Sequence, residues 1–276
     1  MYETTYIRPA SLAEAVALLG EHEEARPLSG GMTLIPTLKQ RLAAPTHLVD
    51  LARLPELSGV AVEHGALRIG ASTVHAAVAA SPEVIRAIPA LAQLAGIIAD
   101  PQVRNRGTLG GSVANNDPAA DYPSAVLALD ATVVTSQRRI AADDFFIDTF
   151  DTALFPAELI TAIEFRIPRR AAYAKYRHPA SGYAVAGVFI AQFDTDIRVA
   201  VTGAGASAFR WTDAENALRH DLSNAAVAAL QVDLATLPDD PNGSDLYRAH
   251  LIKTYTRRAL AALLQQSSSQ SNQSGI

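Results

Sequence analysis

Cysteine is absent from the 276 residues. That excludes disulfides, thiolate zinc sites, a cysteine nucleophile and any iron–sulfur cluster held by thiolates of this chain. Long apolar runs are missing too: the longest, "YAVAGVFIA" at 183–191, falls far short of the ~20 residues a membrane-spanning helix needs. The N-terminus "MYETTYIRPAS" has neither the basic nor the apolar region of a secretory signal. Charge of one sign is not concentrated anywhere; the net charge of -5 comes from both signs scattered along the chain. Neither nucleic acid nor an anionic membrane surface is an expected partner, and the chain reads as cytoplasmic. Several catalytic signatures are missing as well. None of the seven histidines pairs with a second histidine around a glutamate in the zinc-protease spacing, and no Gly-x-Ser-x-Gly elbow occurs.

What is present is ample apolar material, 49% of residues, enough for one large unit or two to three small ones. Ser11 followed by Glu14 is a capping-box pattern opening a helix that Gly20 is placed to end. A short strand near 26–28, a Gly-Gly turn, a helix over 33–42 and a strand at 47–51 predict a small βαβ unit. From Pro55 the chain predicts a strand "ALRIGAS", a short helix at "VHAAVAA", and an apolar helix over 82–95 split at Pro89. The segment 100–123 is dense in Gly, Asn, Asp and Pro, which predicts an extended path with tight turns. Strands at "ATVVT" and "LITAIEFRIP" follow. Beyond residue 169 come two strands, "YAVAGVFIAQF" and "DIRVAVTGA", then mainly helices, the longest near 245–264 with Ile252, Tyr255, Ala259 and Leu263 on one face. The tail "QQSSSQSNQSG" predicts disorder.

Two glycine segments stand out: "LSGGMTLIP" at 28–36 and "RGTLGGSVANND" at 106–117. Glycine pairs let the backbone take left-handed conformations and approach a ligand closely. Successive N–H groups in such turns, with a helix N-terminus behind them, suit phosphate oxygens. Two such turns suit a dinucleotide; either alone is as readily a plain loop. Neither is a Walker motif or Gly-x-Gly-x-x-Gly. "GAGASA" at 203–208 does fit Gly-x-Gly-x-x-Ala, with Asp221 near the acidic spacing. A Rossmann reading fails there, because "FRWTD" intervenes before the next helix, where Asp213 is placed as a cap.

With both turns in view, the chain resembles the FAD-binding medium subunit of the molybdenum hydroxylases, the xanthine dehydrogenase and aerobic carbon monoxide dehydrogenase family. The matching segments are "LSGGMTLIPTLKQRLAAPTHLVDL", "LRIGASTVHAAV", "QVRNRGTLGGSVANNDPAADYPSAVLALDA", "ELITAIEFRIP" and "YAKYRHPASGYAVAGVFI", in family order over about three-fifths of the chain. The resemblance implies an α+β chain: the FAD-binding fold of the p-cresol methylhydroxylase type, made of two α/β subdomains at 1–54 and 55–168. A C-terminal domain of small antiparallel sheet and helices follows at 169–265, then a disordered tail at 266–276.

Carried over residue by residue, the resemblance implies a first pyrophosphate loop of Leu28, Ser29, Gly30, Gly31, Met32, Thr33, Leu34 and Ile35. The second is Thr108, Leu109, Gly110, Gly111 and Ser112. Asp121 matches an FAD-binding aspartate and Ile160 an apolar flavin contact. Lys175 matches a lysine near the flavin, where a cation would stabilise the charge left by two-electron reduction, and Tyr183 a tyrosine that covers the isoalloxazine. Met32 stands where many relatives have other residues, and with no histidine or cysteine in that loop the FAD is expected to be non-covalent.

The implied role is electron transfer. The molybdenum cofactor sits on a large partner subunit and [2Fe-2S] clusters on a small one, in a dimer of heterotrimers, and FAD passes electrons to an external acceptor. A self-contained FAD oxidase or dehydrogenase of the same fold, and a scaffold subunit with merely structural glycines, are the alternatives.

Overall fold

The computed structural model describes residues 1–241 and 243–271. The chain opens with β1 Thr5–Ile7, α1 Leu12–Glu21, β2 Arg26–Leu28, α2 Leu34–Lys39 and β3 His47–Asp50. The three strands are parallel in the order β1-β3-β2, so the anticipated βαβ unit carries one more strand at its edge. The Ser11 hydroxyl caps α1 by accepting from the Glu14 N–H at 3.2 Å. Gly20 does not end that helix: α1 runs to Glu21, and the His22 N–H closes it on the Leu18 carbonyl.

The second unit is larger. It contains β4 Val60–Glu63, β5 Ala66–Gly70, α3 His75–Ala80, α4 Pro82–Ala87, α5 Pro89–Gly96, α6 Pro101–Arg104, α7 Leu109–Asn115 and α8 Tyr122–Ala128. Then come β6 Thr132–Thr135, β7 Arg139–Ala141, β8 Phe146–Asp148, β9 Asp151–Thr152 and β10 Ile160–Arg166. Its sheet is antiparallel in the order β4-β5-β10-β6-β7. Segment 100–123, expected to be extended, holds two short helices and the start of a third instead. Asp100 caps α6 by accepting from Val103, and Thr108 caps α7 by accepting from Gly111. These side-chain caps satisfy the amides that each helix start leaves open, so the turn-rich composition builds helix ends.

The third unit has β11 Arg170–Arg177, β12 Ala184–Gln192, β13 Ile197–Thr202, β14 Phe209–Arg210, α9 Thr212–His220, α10 Asn224–Ala229 and α11 Asp245–Ser271. The four strands form one antiparallel sheet in chain order. Both faces of β12 are covered. Phe189 and Ala191 join the core of the second unit, while Val188 and Ile190 face Ile252, Tyr255, Ala259 and Leu263 of α11. Burial on both faces explains why β12 reads as an unbroken apolar run. "GAGASA" forms the bend between β13 and β14, and no helix begins inside it. Asp213 lies in the first turn of α9 and not at its cap. Residues 266–271, expected to be disordered, continue α11, where the Gln266 side chain donates to the Ala171 carbonyl at 2.8 Å. Residues 272–276 of that expected tail lie outside the described residues. Among the described residues no helix is long and apolar enough to cross a membrane.

Candidate functional site

The loop from β2 to α2 leaves the C-terminal end of a parallel sheet, where α/β units gather ligands. Gly31 takes φ +71, a left-handed conformation that favours glycine. Gly30 is needed for a different reason: a Cβ there would stand 2.1 Å from the Arg106 carbonyl oxygen. The first glycine segment is therefore packed backbone to backbone against the second. Hydroxyls fasten the contact, with Ser29 Oγ 3.1 Å from Thr108 Oγ1 and 3.3 Å from Ser72 Oγ. The two segments, about eighty residues apart, are halves of one structure.

They differ in what they offer. Among the described residues, the backbone N–H groups of Gly30, Gly31, Met32 and Thr33 donate to nothing. In the second segment every corresponding amide is taken: Leu109 donates to Thr73, Gly110 to Ala71 at 2.8 Å, Gly111 to the Thr108 hydroxyl, and Ser112 to the Thr108 carbonyl. Gly110 and Gly111 lie inside α7 with no positive φ. Their small size serves packing, since a Cβ on Gly110 would meet Ala71 Cβ at 2.5 Å. The second pair is thus not the amide-donating turn that the sequence suggested.

A cavity of about 660 Å³ opens between the segments, within the roughly 300–1,000 Å³ of small-molecule and cofactor sites. Its walls include Leu28, Ser29, Gly30, Gly31, Met32, Thr33 and Leu34 from the first segment. Thr108, Gly110, Gly111 and Ser112 come from the second. Asp121, at the start of α8, Ile160, at the start of β10, and Tyr183, on the loop from β11 to β12, complete the gathering. Three anticipated residues stand off the wall. Ile35 packs under Gly31 and lines a neighbouring cavity, Leu109 is wholly buried, and Lys175 stands behind Asp121.

Lys175 Nζ lies 2.9 Å from the Asp121 carboxylate and donates to the Gly182 carbonyl at 3.2 Å. The Tyr173 hydroxyl donates to the other carboxylate oxygen at 2.5 Å. Burial raises the Asp121 carboxyl above its ordinary value, and the Lys175 charge and both hydrogen bonds pull against that rise. The lysine expected beside the flavin pairs with this aspartate. Asp117, also on the wall, is raised by burial, and Tyr183 by burial and the nearby carboxyls of Asp117 and Asp121.

Sequence reasoning missed His75, Ser72 and Asp117, all on the cavity wall. Ser72 and His75 sit in "GASTVHA" just after β5, a polar cluster following a buried strand, which is the one local signal they leave. Only the fold places it under the second segment.

The four free amides of the first segment suit the cavity to a pyrophosphate held by backbone donors, and it has room for the rest of a dinucleotide. The family model described as FAD binding domain in molybdopterin dehydrogenase matches residues 2–169. The chain belongs to that family. It is 35% identical to the carbon monoxide dehydrogenase medium chain of Hydrogenophaga pseudoflava, over 93% of this chain and 96% of that one. It is also 35% identical to the 6-hydroxypseudooxynicotine dehydrogenase complex subunit alpha of Paenarthrobacter nicotinovorans, over 94% of each. A solved chain of reconstituted CO dehydrogenase from Oligotropha carboxidovorans superposes with a TM-score of 0.88 at 33% identity, covering 95% of this chain and 97% of that one. The α+β architecture is thus that of FAD-binding medium subunits of molybdenum hydroxylases, and the chain is an oxidoreductase subunit whose cofactor is FAD.

Proposed function

We propose that this chain is the electron-transfer subunit of its complex, taking electrons from [2Fe-2S] clusters on a small partner subunit and passing them to an external acceptor. Substrate is hydroxylated at a molybdenum cofactor on a large partner, in a dimer of heterotrimers. The observation that carries this reading is the row of four free amides, locked by Ser29 and Thr108 against a second glycine segment, in a chain with no cysteine for a cluster of its own. The two relatives named for carbon monoxide and for 6-hydroxypseudooxynicotine are equally identical to this chain, which supports substrate choice residing on another subunit.

Bound FAD supplies the redox chemistry. The residues of this chain would hold and shield it. The amides of Gly30 to Thr33 would donate to the pyrophosphate, each such bond to a charged oxygen contributing roughly 1.5–3 kcal/mol. Asp121, held in place by Lys175 and Tyr173, would accept from a hydroxyl or N–H of the nucleotide, Ile160 would give an apolar wall, and Tyr183 would shield the flavin. The test is purification of the tagged chain from its native host with flavin and metal analysis. About one FAD per chain, with molybdenum- and iron-containing partners, is expected; a solitary chain that oxidises an organic substrate overturns the reading.

A further inference from the structure

His75 opens α3 and lies on the wall of the FAD cavity with only 4% of its surface exposed. Its Nδ1 is buried and meets no donor or acceptor. Among the described residues nothing bonds Nε2 either. That atom stands against Gly107, where a Cβ would come within 2.6 Å of it, so the missing side chain is what makes room for the ring. The backbone fixes the placement, since the His75 N–H donates to the Gly107 carbonyl at 2.9 Å and Val74 bridges to Thr108. Tyr122 packs against the ring with centroids 5.3 Å apart.

A buried imidazole with no partner is unfavourable, and an apolar side chain of similar size would avoid that cost. Burial and the nearby Arg104 charge lower its pKa to about 4, so near neutrality the ring carries a single proton. An N–H without an acceptor is the costlier kind of orphan. Nδ1 is fully enclosed, whereas Nε2 is not among the enclosed unpartnered atoms and belongs to a ring on the cavity wall, so the proton is assigned to Nε2.

We propose that His75, protonated on Nε2, donates a hydrogen bond to an acceptor atom of the bound FAD, a cofactor contact that neither glycine segment supplies. The proposal rests on reading this cavity as the FAD site. An uncharged donor at this place aligns the nucleotide without adding to the charge balance that Asp121 and Lys175 already close.

The test uses the full chain stripped of FAD and titrated with FAD, read by flavin fluorescence and by the melting temperature of the FAD-free protein. A native chain that takes up no FAD overturns the reading of the cavity itself. Given native binding, His75→Leu is expected to weaken FAD about tenfold, with the FAD-free melting temperature unchanged or raised, while His75→Gln, which keeps an N–H near the same place, stays within about threefold. Native-like binding by His75→Leu overturns the proposal, as does an equal loss in both variants with a lowered FAD-free melting temperature. Should His75→Leu fail to fold, nitrogen NMR of the native FAD-loaded chain decides: a proton on Nε2 in a hydrogen bond supports the contact, and a proton on Nδ1 overturns it.

Discussion

A methyl group on Gly30 would occupy the position of the Arg106 carbonyl, and backbone on both sides leaves no flexible side chain to yield. Gly30→Ala is therefore expected to destabilise the chain by about 1–3 kcal/mol and to empty it of FAD, measured by urea unfolding and flavin content. Gly31→Asn is the milder change. Asparagine tolerates the left-handed conformation, and the groups its Cβ would meet are the ends of Ile35 and Leu28 side chains. His75 makes a different prediction. Its folded pKa of about 4 lies below the ordinary 6.5, so the unfolded chain binds the proton first as the medium acidifies. Stability is complete above pH 6.5 and falls toward pH 4, by about 3 kcal/mol for this group. His75→Leu should flatten that slope; an unchanged slope would assign the acid sensitivity elsewhere.

At the scale of elements, α8 and β11 are joined through the buried carboxylate of Asp121, the buried ammonium of Lys175 and the partly buried Tyr173. Removing either partner of a buried ion pair leaves the other uncompensated, at a cost of roughly 3–5 kcal/mol. Lys175→Met and Asp121→Asn are each expected to lose that much, and the double variant less than their sum, as a double-mutant cycle would show. Lys175→Met should also lower the flavin potential, because it leaves the cavity-wall carboxylate unbalanced; potentiometric titration of the FAD-loaded variant checks this. Such pairings explain what the sequence could and could not convey. Local chemistry was legible: the Ser11 cap, the Pro89 break, the first glycine loop. Segment 100–123 misled because Asp, Asn and Gly mark helix caps as readily as turns, and the choice depended on Ala71 and Thr73 supplying acceptors for the amides of 109–110. Lys175 could not be paired with Asp121 from sequence, since their contact spans 54 residues.

For the whole molecule, the third sheet is both core and link. One face completes the core of the second unit and the other is roofed by α11. Arg198 on β13 reaches Asp130 and Asp143 of the second unit. The cavity draws its walls from the first sheet's loop, from α7 and the 117–121 loop that leads into α8, and from the 181–183 loop of the third unit, so ligand binding is expected to stabilise the chain as one body. FAD at a hundredfold excess over its dissociation constant should add about 2.7 kcal/mol, read as a raised melting temperature. The most direct measurement of the proposed role is anaerobic mixing of the oxidised, FAD-loaded chain with its reduced [2Fe-2S] partner while both absorption spectra are followed. Bleaching of the flavin band as the clusters reoxidise is the expected result; a stable complex in which the flavin stays oxidised and the clusters stay reduced would contradict it.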